Sequence, residues 1–415
     1  MEARTLGRFR GECKLTGGKL VAVSVELERV HESQVNIASC RIDGDFFVES
    51  ASDQFDLIKA LESCIEQFSL PVQCQQVEKA LIQVIARDAA SDLIGASGRT
   101  IALALCRALA QAPEAGELVM GVCEPAQGSE PRLQGSQLVM PADMSPQRRE
   151  DLARRWRQMP LQIILDTPRP PAEQLALDLA LAEAVQAGIQ PPTLRVWQWS
   201  SPAVVIGRFQ SLSSEVDVDQ AHQRGFTIVR RVTGGGAMFA QPSNIITYSL
   251  YLPIAAVQGL DASWTYRLCD LWLVEGLNRL GIHAGWSGMN DIASSRGKIG
   301  GAAERRLPPK QGESGALLHH DMLSYDIDTQ AMLQVLKVSD EKMRDKAVPS
   351  AQARVDPLKR QTSLSKRQLV EALVAYIPQL APQARLSKVS ASIEQKGQEL
   401  AATRFARDEW IADIV

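Results

Sequence analysis

VRRVTGGGAMF, residues 229–239, places two adjacent arginines before three consecutive glycines and then returns to apolar chain. The flanks read as β-strand, so the stretch is strand, glycine turn, strand. Three glycines let the backbone turn through positive φ and let a ligand approach peptide N–H groups with no Cβ in the way. Arg230 and Arg231 bring positive charge to the same place, which suits phosphate. No Gly-Lys-Ser/Thr follows, so this is not a P-loop. A strand rather than a helix follows, so it is not a dinucleotide fingerprint either. A glycine-rich hairpin with surface arginines explains the stretch equally well, and a second observation has to choose.

Composition bounds the choice. The chain has 415 residues, 45% hydrophobic and 22% charged, which is ordinary globular usage and long enough for two domains. With 45 basic and 48 acidic residues its net charge is −3, against nucleic acid as a bulk electrostatic partner. Neither a signal-peptide core near the N-terminus nor a run of membrane-spanning length is seen, so a cytoplasmic protein without a membrane partner is expected. The seven cysteines, at 13, 40, 64, 74, 106, 123 and 269, form no CxxC pair. Reduced, mostly buried thiols are expected.

Residues 19–49 alternate apolar and polar positions in three short runs, the pattern of an antiparallel sheet with one covered face, and 53–110 read as helices. Pro, Gly, Ala and Ser crowd residues 111–145 without a period, as in a linker. Beyond Pro146, LQIILD is followed by an apolar helix from Pro171 to Gly188. Its apolar residues nearly encircle it, so it belongs in the core. Strand-like TLRVWQW, PAVVIGRF, FTIVRRV and NIITYSLYL come next. A helix is predicted over 264–280, and Ser365 with Gln368 forms a capping box before another. This order fits a mixed sheet with packed helices.

The second observation is GMNDIASSRGKIGGAAERR, residues 288–306. Ser294–Gly297 is a hairpin turn, Lys298 follows at once, and Gly300, Gly301, Ala302 and Ala303 keep the surface flat around it. One ammonium among small residues suits a site that presses a cation against a mixed anhydride. Asp291, seven residues earlier, lies close enough across such a hairpin to hold Mg²⁺ or a nucleotide hydroxyl. A lysine that merely flanks a turn is the plainer explanation. It loses weight beside a phosphate-suited loop.

Taken in order, these motifs resemble lipoate-protein ligase A of the biotin/lipoate ligase superfamily, over roughly residues 150–415. They are Trp199; Gly207, Arg208 and Gln210; Arg230, Arg231, Gly234, Gly235 and Gly236; Asn290 and Asp291; and Lys298, Gly301 and Ala303. Later matches are His320, the run containing Lys342, Ser350 and Arg354, and Trp410. TGGKL at 16–20 and IDGDFF at 42–47 resemble the accessory domain of these ligases, here ahead of the catalytic domain. The family commonly has His-Asp after the glycine loop, where this chain has Ala240–Ser243 before Asn244, and Gly where it has Asp321.

The resemblance implies an α+β protein: a mixed, largely antiparallel sheet with packed helices over 146–415, a linker at 111–145 and a small α+β accessory domain over 1–110. It implies ATP-dependent activation of lipoate to lipoyl-AMP and transfer to a lysine of an apo lipoyl carrier, either a lipoyl domain or an H-protein-like carrier. Lys298 would be catalytic. Arg230, Arg231, Gly234–Gly236, Asn244, Asn290, Asp291, Gly301, Ala303, Trp199 and Gly207 would bind substrate or nucleotide, and Asp291 would hold Mg²⁺. Trp199, Val205 and Met289 are candidate walls for the acyl chain, each equally able to be plain core. The nearest rival is an octanoyltransferase of the same fold, which needs an exposed, activated thiolate; Cys269 is the one cysteine after residue 146. A non-catalytic lipoate or lipoyl-protein binder is a third reading.

Overall fold

A computed structural model describes residues 4–15, 17–31, 34–50, 56–87, 91–112, 119–120, 138–310, 312–337, 341 and 355–414. The N-terminal sheet joins β1 (Arg4–Cys13), β2 (Val21–His31) and β3 (Gln34–Gly44) as an antiparallel meander in that order. Its first strand starts well before the run expected from residue 19, because glycines at 7 and 11 interrupt an otherwise alternating segment. Gly11 is required there: a Cβ would sit 2.2 Å from the Ala104 carbonyl oxygen, so the strand lies directly on a helix. The third expected run, β4 (Phe47–Ser50), leaves this sheet to pair with β5 (Ser91–Ile94). Helices α1 (Leu57–Glu66), α2 (Cys74–Ile85) and α3 (Gly98–Leu109) cover the sheet, and Ser97 and Thr100 form a capping box on α3. One hydrophobic cluster runs through this unit from Cys13 to Ala112.

Most of the segment read as a linker lies outside the described residues. Its end is not a free connection: Val139 pairs with Trp286 at an edge of the larger sheet. The second unit then opens with α4 (Pro146–Gln158), capped by Ser145, and β6 (Gln162–Leu165). In α5 (Pro171–Gln186), Pro171 takes the first turn and Gly188, at φ +70°, ends it. Leu175, Ala176, Leu177, Ala180 and Leu181 are all buried, so the helix is enclosed on nearly every side, as its encircling apolar residues predict.

After α5 come β7 (Thr193–Trp197), β8 (Ala203–Ile206), β9 (Thr227–Arg230), β10 (Met238–Ala240) and β11 (Ile245–Pro253). They are followed by α6 (Ala262–Arg279), β12 (Gly285–Ser287), β13 (Asp291–Ser294), β14 (Gly297–Leu307), β15 (Ala316–Ser324), α7 (Lys366–Leu380), β16 (Arg385–Ser387) and α8 (Ala391–Leu400). The large sheet has the order β12-β13-β14-β15-β11-β7-β6-β16. It is antiparallel from β12 to β7, and β6 adds parallel contacts to β7 and β16. A smaller sheet pairs β8 in parallel with β9 and antiparallel with β10.

Alternation along β11 shows why its sequence reads as a continuous apolar run. Ile246, Tyr248, Leu250 and Leu252 enter the core beneath α6, while Ile245 and Tyr251 enter the core beneath α5. The architecture is the α+β, mixed-sheet arrangement expected. No helix among the described residues is long and apolar enough to cross a membrane.

Candidate active site

The β13–β14 hairpin turns at Ser294–Gly297 as predicted, but its register shifts between Ile292 and Ala293, leaving Ile299 as an extra residue. Strand side chains alternate, so without this bulge Lys298 would face away from Asp291 and Gly301, which pair across the hairpin. The bulge turns Lys298 to their side. Its Nζ donates to Asp291 Oδ1 at 2.8 Å, and its chain lies over Gly301, where a Cβ would be 2.6 Å from Nζ. Asn290 is buried beside them. Its Nδ2 donates to the Ala302 carbonyl at 2.7 Å, and its own carbonyl accepts from Ala302 N–H at 2.9 Å. Ala303 pairs with His320 one strand further.

The glycine loop joins β9 to β10. Gly235 takes φ +90°, and a Cβ on Gly207 would sit 2.0 Å from the Gly235 oxygen, so the two glycine motifs pack backbone to backbone. The arginines are not surface residues. Arg231 is buried and donates to Thr233 Oγ1 at 2.9 Å and to the carbonyls of Gly234 and Gly236 at 2.6 and 3.0 Å. Arg230 faces the other way and donates to the carbonyls of Gly207 and Gln210 at 2.9 and 2.7 Å and of Ile411 at 2.8 Å, tying down the C-terminal turn. Burial pushes both guanidinium pKa values down to about 10, with Arg208 adding to the effect at Arg230. Their charge is spent on carbonyl oxygens that shape the loop, where the sequence suggested groups open to a ligand.

A buried hydrogen-bond line connects the loop to the core. Thr233 hydroxyl donates to His320 Nε2 at 2.8 Å, and His320 Nδ1 donates to Asp178 Oδ2 at 2.9 Å. Burial lowers the His320 pKa, consistent with the neutral tautomer this line requires. Asp178, on α5, also accepts from Arg195, Ser249 and Tyr251. Sequence reading missed this residue, because a lone Asp in an apolar helix is visible as an anomaly but its partners lie up to 142 positions away.

The opposite face of β15 carries a second buried cluster. His319 donates to Glu304 Oε1 at 2.9 Å and to Asp270 Oδ1 at 2.8 Å. Burial alone would discharge it, yet Asp270 holds its pKa well above the usual value. Cys269 lies against the same imidazole, wholly buried in α6, and burial pushes its thiol up to about 12. Asp321 sits behind the hairpin, and a Cβ on Gly300 would be 3.0 Å from its Oδ1. Neither Asp321 oxygen has a hydrogen-bond partner among the described residues, and burial together with Asp270 raises its pKa to about 8.

An acid whose folded pKa is raised loses stability as pH climbs from its unfolded value, near 4, to the folded one. Asp321→Asn, which cannot ionise, is therefore expected to gain on the order of 1–3 kcal/mol over the natural chain at pH 8, and much less at pH 5. Urea midpoints at the two pH values check this, and a gain that is independent of pH contradicts it.

Other expected residues are more dispersed. Trp199 donates to Thr247 Oγ1 at 3.0 Å and shares one buried cluster with Val205, Met238 and Met322. Met289 is half-buried in the turn before β13. Asn244 is held in a local turn by Gln241, and its carbonyl accepts from Tyr325 and Asp326 N–H. Lys342, Ser350 and Arg354 lie outside the described residues.

The N-terminal unit reaches both motifs. Lys19 Nζ donates to Asn290 Oδ1 at 2.9 Å, and Asp45 Oδ1 accepts from Gln210 Nε2 at 2.7 Å. Gly234 lies so near this unit that a Cβ would be 2.4 Å from the Phe46 oxygen. Phe46 stacks on Phe209 with centroids 5.1 Å apart.

Comparison with known proteins bears on the fold and the family. Residues 170–378 match the model of the lipoyl protein ligase A/B catalytic domain. The chain is similar to the octanoyltransferase LipM of Symbiobacterium thermophilum, with 32% identity over 200 residues, covering 43% of this chain and 70% of that one. It is also similar to lipoate-protein ligase A subunit 1 of Thermoplasma acidophilum, with 28% identity over 253 residues, covering 60% and 94%. Among solved structures, the bipartite lipoate protein ligase of Thermoplasma acidophilum superposes with TM-score 0.54 at 27% identity, over 62% of this chain and 98% of that one. A lipoate-protein ligase A bound with ATP shares the fold, with TM-score 0.52 at 24% identity over 61% and 99%. The motif order, the fold and these matches together make the chain a member of the lipoyl protein ligase A/B family.

Proposed function

We propose that the protein is an ATP-dependent lipoate-protein ligase. A lipoate carboxylate oxygen attacks the α-phosphorus of ATP, pyrophosphate leaves, and a carrier lysine amine attacks the resulting acyl-AMP to release AMP. The observation that carries this reading over the transferase one is Cys269. It is the one cysteine after residue 146, it is wholly buried, and its thiol is held protonated near neutral pH. Thioester chemistry needs an accessible thiolate. At the hairpin, where a transferase of this fold would carry its cysteine, the chain has Asn290 and Asp291.

In this reading Lys298 neutralises charge developing on the α-phosphate, and the glycine loop, kept in shape by Arg230 and Arg231, offers the N–H groups of Gly234 and Gly236 to the phosphates, while Gly235 N–H donates to the Phe46 carbonyl. Gly207 lets the two glycine motifs close together, and Gly301 leaves the space that the Lys298 chain occupies, with Ala303 next on the same strand. Asn290 orients the hairpin end, and Asn244 anchors the strand start behind the loop. Asp291, whose Oδ1 accepts from Lys298, is the carboxylate that would hold Mg²⁺, and the ion would add charge stabilisation there. The cluster of Trp199 and Val205 suits the acyl chain, whose six CH₂ groups contribute about 5 kcal/mol on burial at roughly 0.8 kcal/mol each.

The LipM relatives favour the transferase as a second reading. Intact mass spectrometry of an apo lipoyl domain, incubated with the protein, Mg²⁺ and lipoate, decides between them. A lipoyl mass gain that requires ATP is expected. Modification from an octanoyl carrier thioester without ATP would establish the transferase instead, and neither modification would leave a binder. Cys269→Ser is expected to retain ligation within about threefold.

A further inference from the structure

The β13–β14 hairpin offers Lys298 a choice of faces, because a one-residue change of register moves a strand side chain to the other side of the sheet. The bulge at Ile299 makes that choice, and a bulge leaves backbone groups that the hairpin itself does not pair. A much later segment supplies the missing partner. Val355 and Lys298 form a parallel bridge, and Asp356 N–H donates to the Lys298 carbonyl at 2.8 Å.

The Asp356 side chain acts on the turn just before Lys298. It is wholly buried, and its Oδ2 accepts from Ser294 Oγ at 2.5 Å and from Gln361 Nε2 at 2.9 Å. The Ser294 hydroxyl accepts in turn from Arg296 N–H at 3.0 Å, so one carboxylate oxygen controls the first and third residues of the turn. The segment carrying Asp356 is itself anchored. Leu358 is buried in the core shared with α6 and α7, and Lys359 N–H donates to the Tyr325 carbonyl at 2.9 Å. Tyr325 N–H in turn donates to the Asn244 carbonyl at 2.8 Å, so the same stretch braces the hairpin at one end and the Asn244 turn at the other.

We propose that Asp356 is a positioning residue for Lys298: its carboxylate holds Ser294 so that the hairpin keeps the bulged register in which Nζ lies beside Asp291 and Gly301. The inference rests on Lys298 being the cation of the reaction, as in the ligase reading above. Without the carboxylate the hairpin still pairs, but nothing selects the face on which Lys298 emerges.

The test uses the full chain carrying Asp356→Ala, Asp356→Asn or Ser294→Ala, each also combined with Lys298→Ala, and follows lipoate-dependent pyrophosphate release. Asp356→Ala is expected to lower kcat about 10- to 30-fold with KM for lipoate and ATP within about threefold, since a misplaced cation costs transition-state stabilisation and leaves ground-state binding alone. Asp356→Asn, whose amide oxygen takes the place of Oδ2, is expected to stay within about threefold of the natural kcat. Ser294→Ala should reproduce most of the Asp356→Ala loss, and joining the two should add less than about twofold, because both remove the same bond. In the Lys298→Ala background, Asp356→Ala and Ser294→Ala should each lower the residual rate by less than about twofold. Where Asp356→Ala does not fold, Ser294→Ala in the two backgrounds carries the decision. A kcat within about threefold of natural in both alanine variants overturns the proposal. A full further loss in the Lys298→Ala background overturns it too, because Asp356 would then act on something other than Lys298. Should the natural chain modify the carrier from an octanoyl thioester without releasing pyrophosphate, the ligase reading falls, and the same variants and thresholds applied to that transfer decide this inference separately.

Discussion

Lys298→Ala should fold normally and lose about three orders of magnitude in ligation rate. The two halves of that expectation have separate physical grounds. Lys298 and Asp291 are 43% and 36% exposed, and an ion pair in contact with solvent contributes roughly 0–1 kcal/mol, so removing it should hardly move the unfolding midpoint. Catalysis depends on the same ammonium differently. A cation ~4 Å from a phosphate oxygen gains about 4 kcal/mol at an effective dielectric near 20, and charge that develops in the transition state forfeits this when the cation is gone. The β13–β14 bulge sharpens the expectation, because it exists at the one place where Lys298 must change faces. Gly301→Ala would act through the same geometry, its methyl displacing Nζ. Urea unfolding together with lipoyl mass gain checks both halves; near-normal lipoylation by Lys298→Ala would remove Lys298 from the chemistry.

What the sequence disclosed follows from the range of the interactions involved. The hairpin turn at Ser294–Gly297, the cap at Ser365 and the enclosed helix from Pro171 are decided within a few residues, and a period or a turn dipeptide carries them. The bulge at Ile299 depends on the register of a partner strand, so the motif located Lys298 without showing which way it faced. Adjacent arginines on a strand must face opposite sides, which the sequence does imply. What it cannot give is their destination, since the carbonyls that receive Arg230 lie 20 and 23 residues earlier at Gln210 and Gly207 and some 180 residues later at the C-terminal turn. The first strand, Arg4–Cys13, is masked in the sequence by two glycines and several charges, and its alternation is explained by the underlying helix α3.

The second large effect is on stability: Asp178→Ala should cost about 3–5 kcal/mol, the usual penalty for removing one partner of a buried ion pair. Asp178 is 1% exposed, and it accepts from Arg195, which is wholly buried, at 3.1 Å. Asp166 remains as a second partner for that guanidinium, at 2.6 Å, which keeps the loss from being larger. Tyr251 hydroxyl, Ser249 hydroxyl and His320 Nδ1 each lose their acceptor in the same substitution, at 2.6, 2.8 and 2.9 Å. The consequence should reach the glycine loop, because His320 without Asp178 is no longer held with Nε2 as the acceptor for Thr233. Arg231 shares Thr233 Oγ1, so the carbonyls of Gly234 and Gly236 lose part of their support. Asp178→Asn separates the two effects: its Oδ1 keeps the bonds from Arg195, Ser249 and Tyr251, but its amide N–H faces His320 Nδ1, so the line to Thr233 is broken with a smaller loss of core stability. Denaturant midpoints for both variants, with pyrophosphate release measured well below each midpoint, make the distinction. A large stability loss in Asp178→Ala with unchanged release in the folded fraction would mean that the line from Asp178 to Thr233 supports the core and leaves the loop to be shaped by its arginines alone.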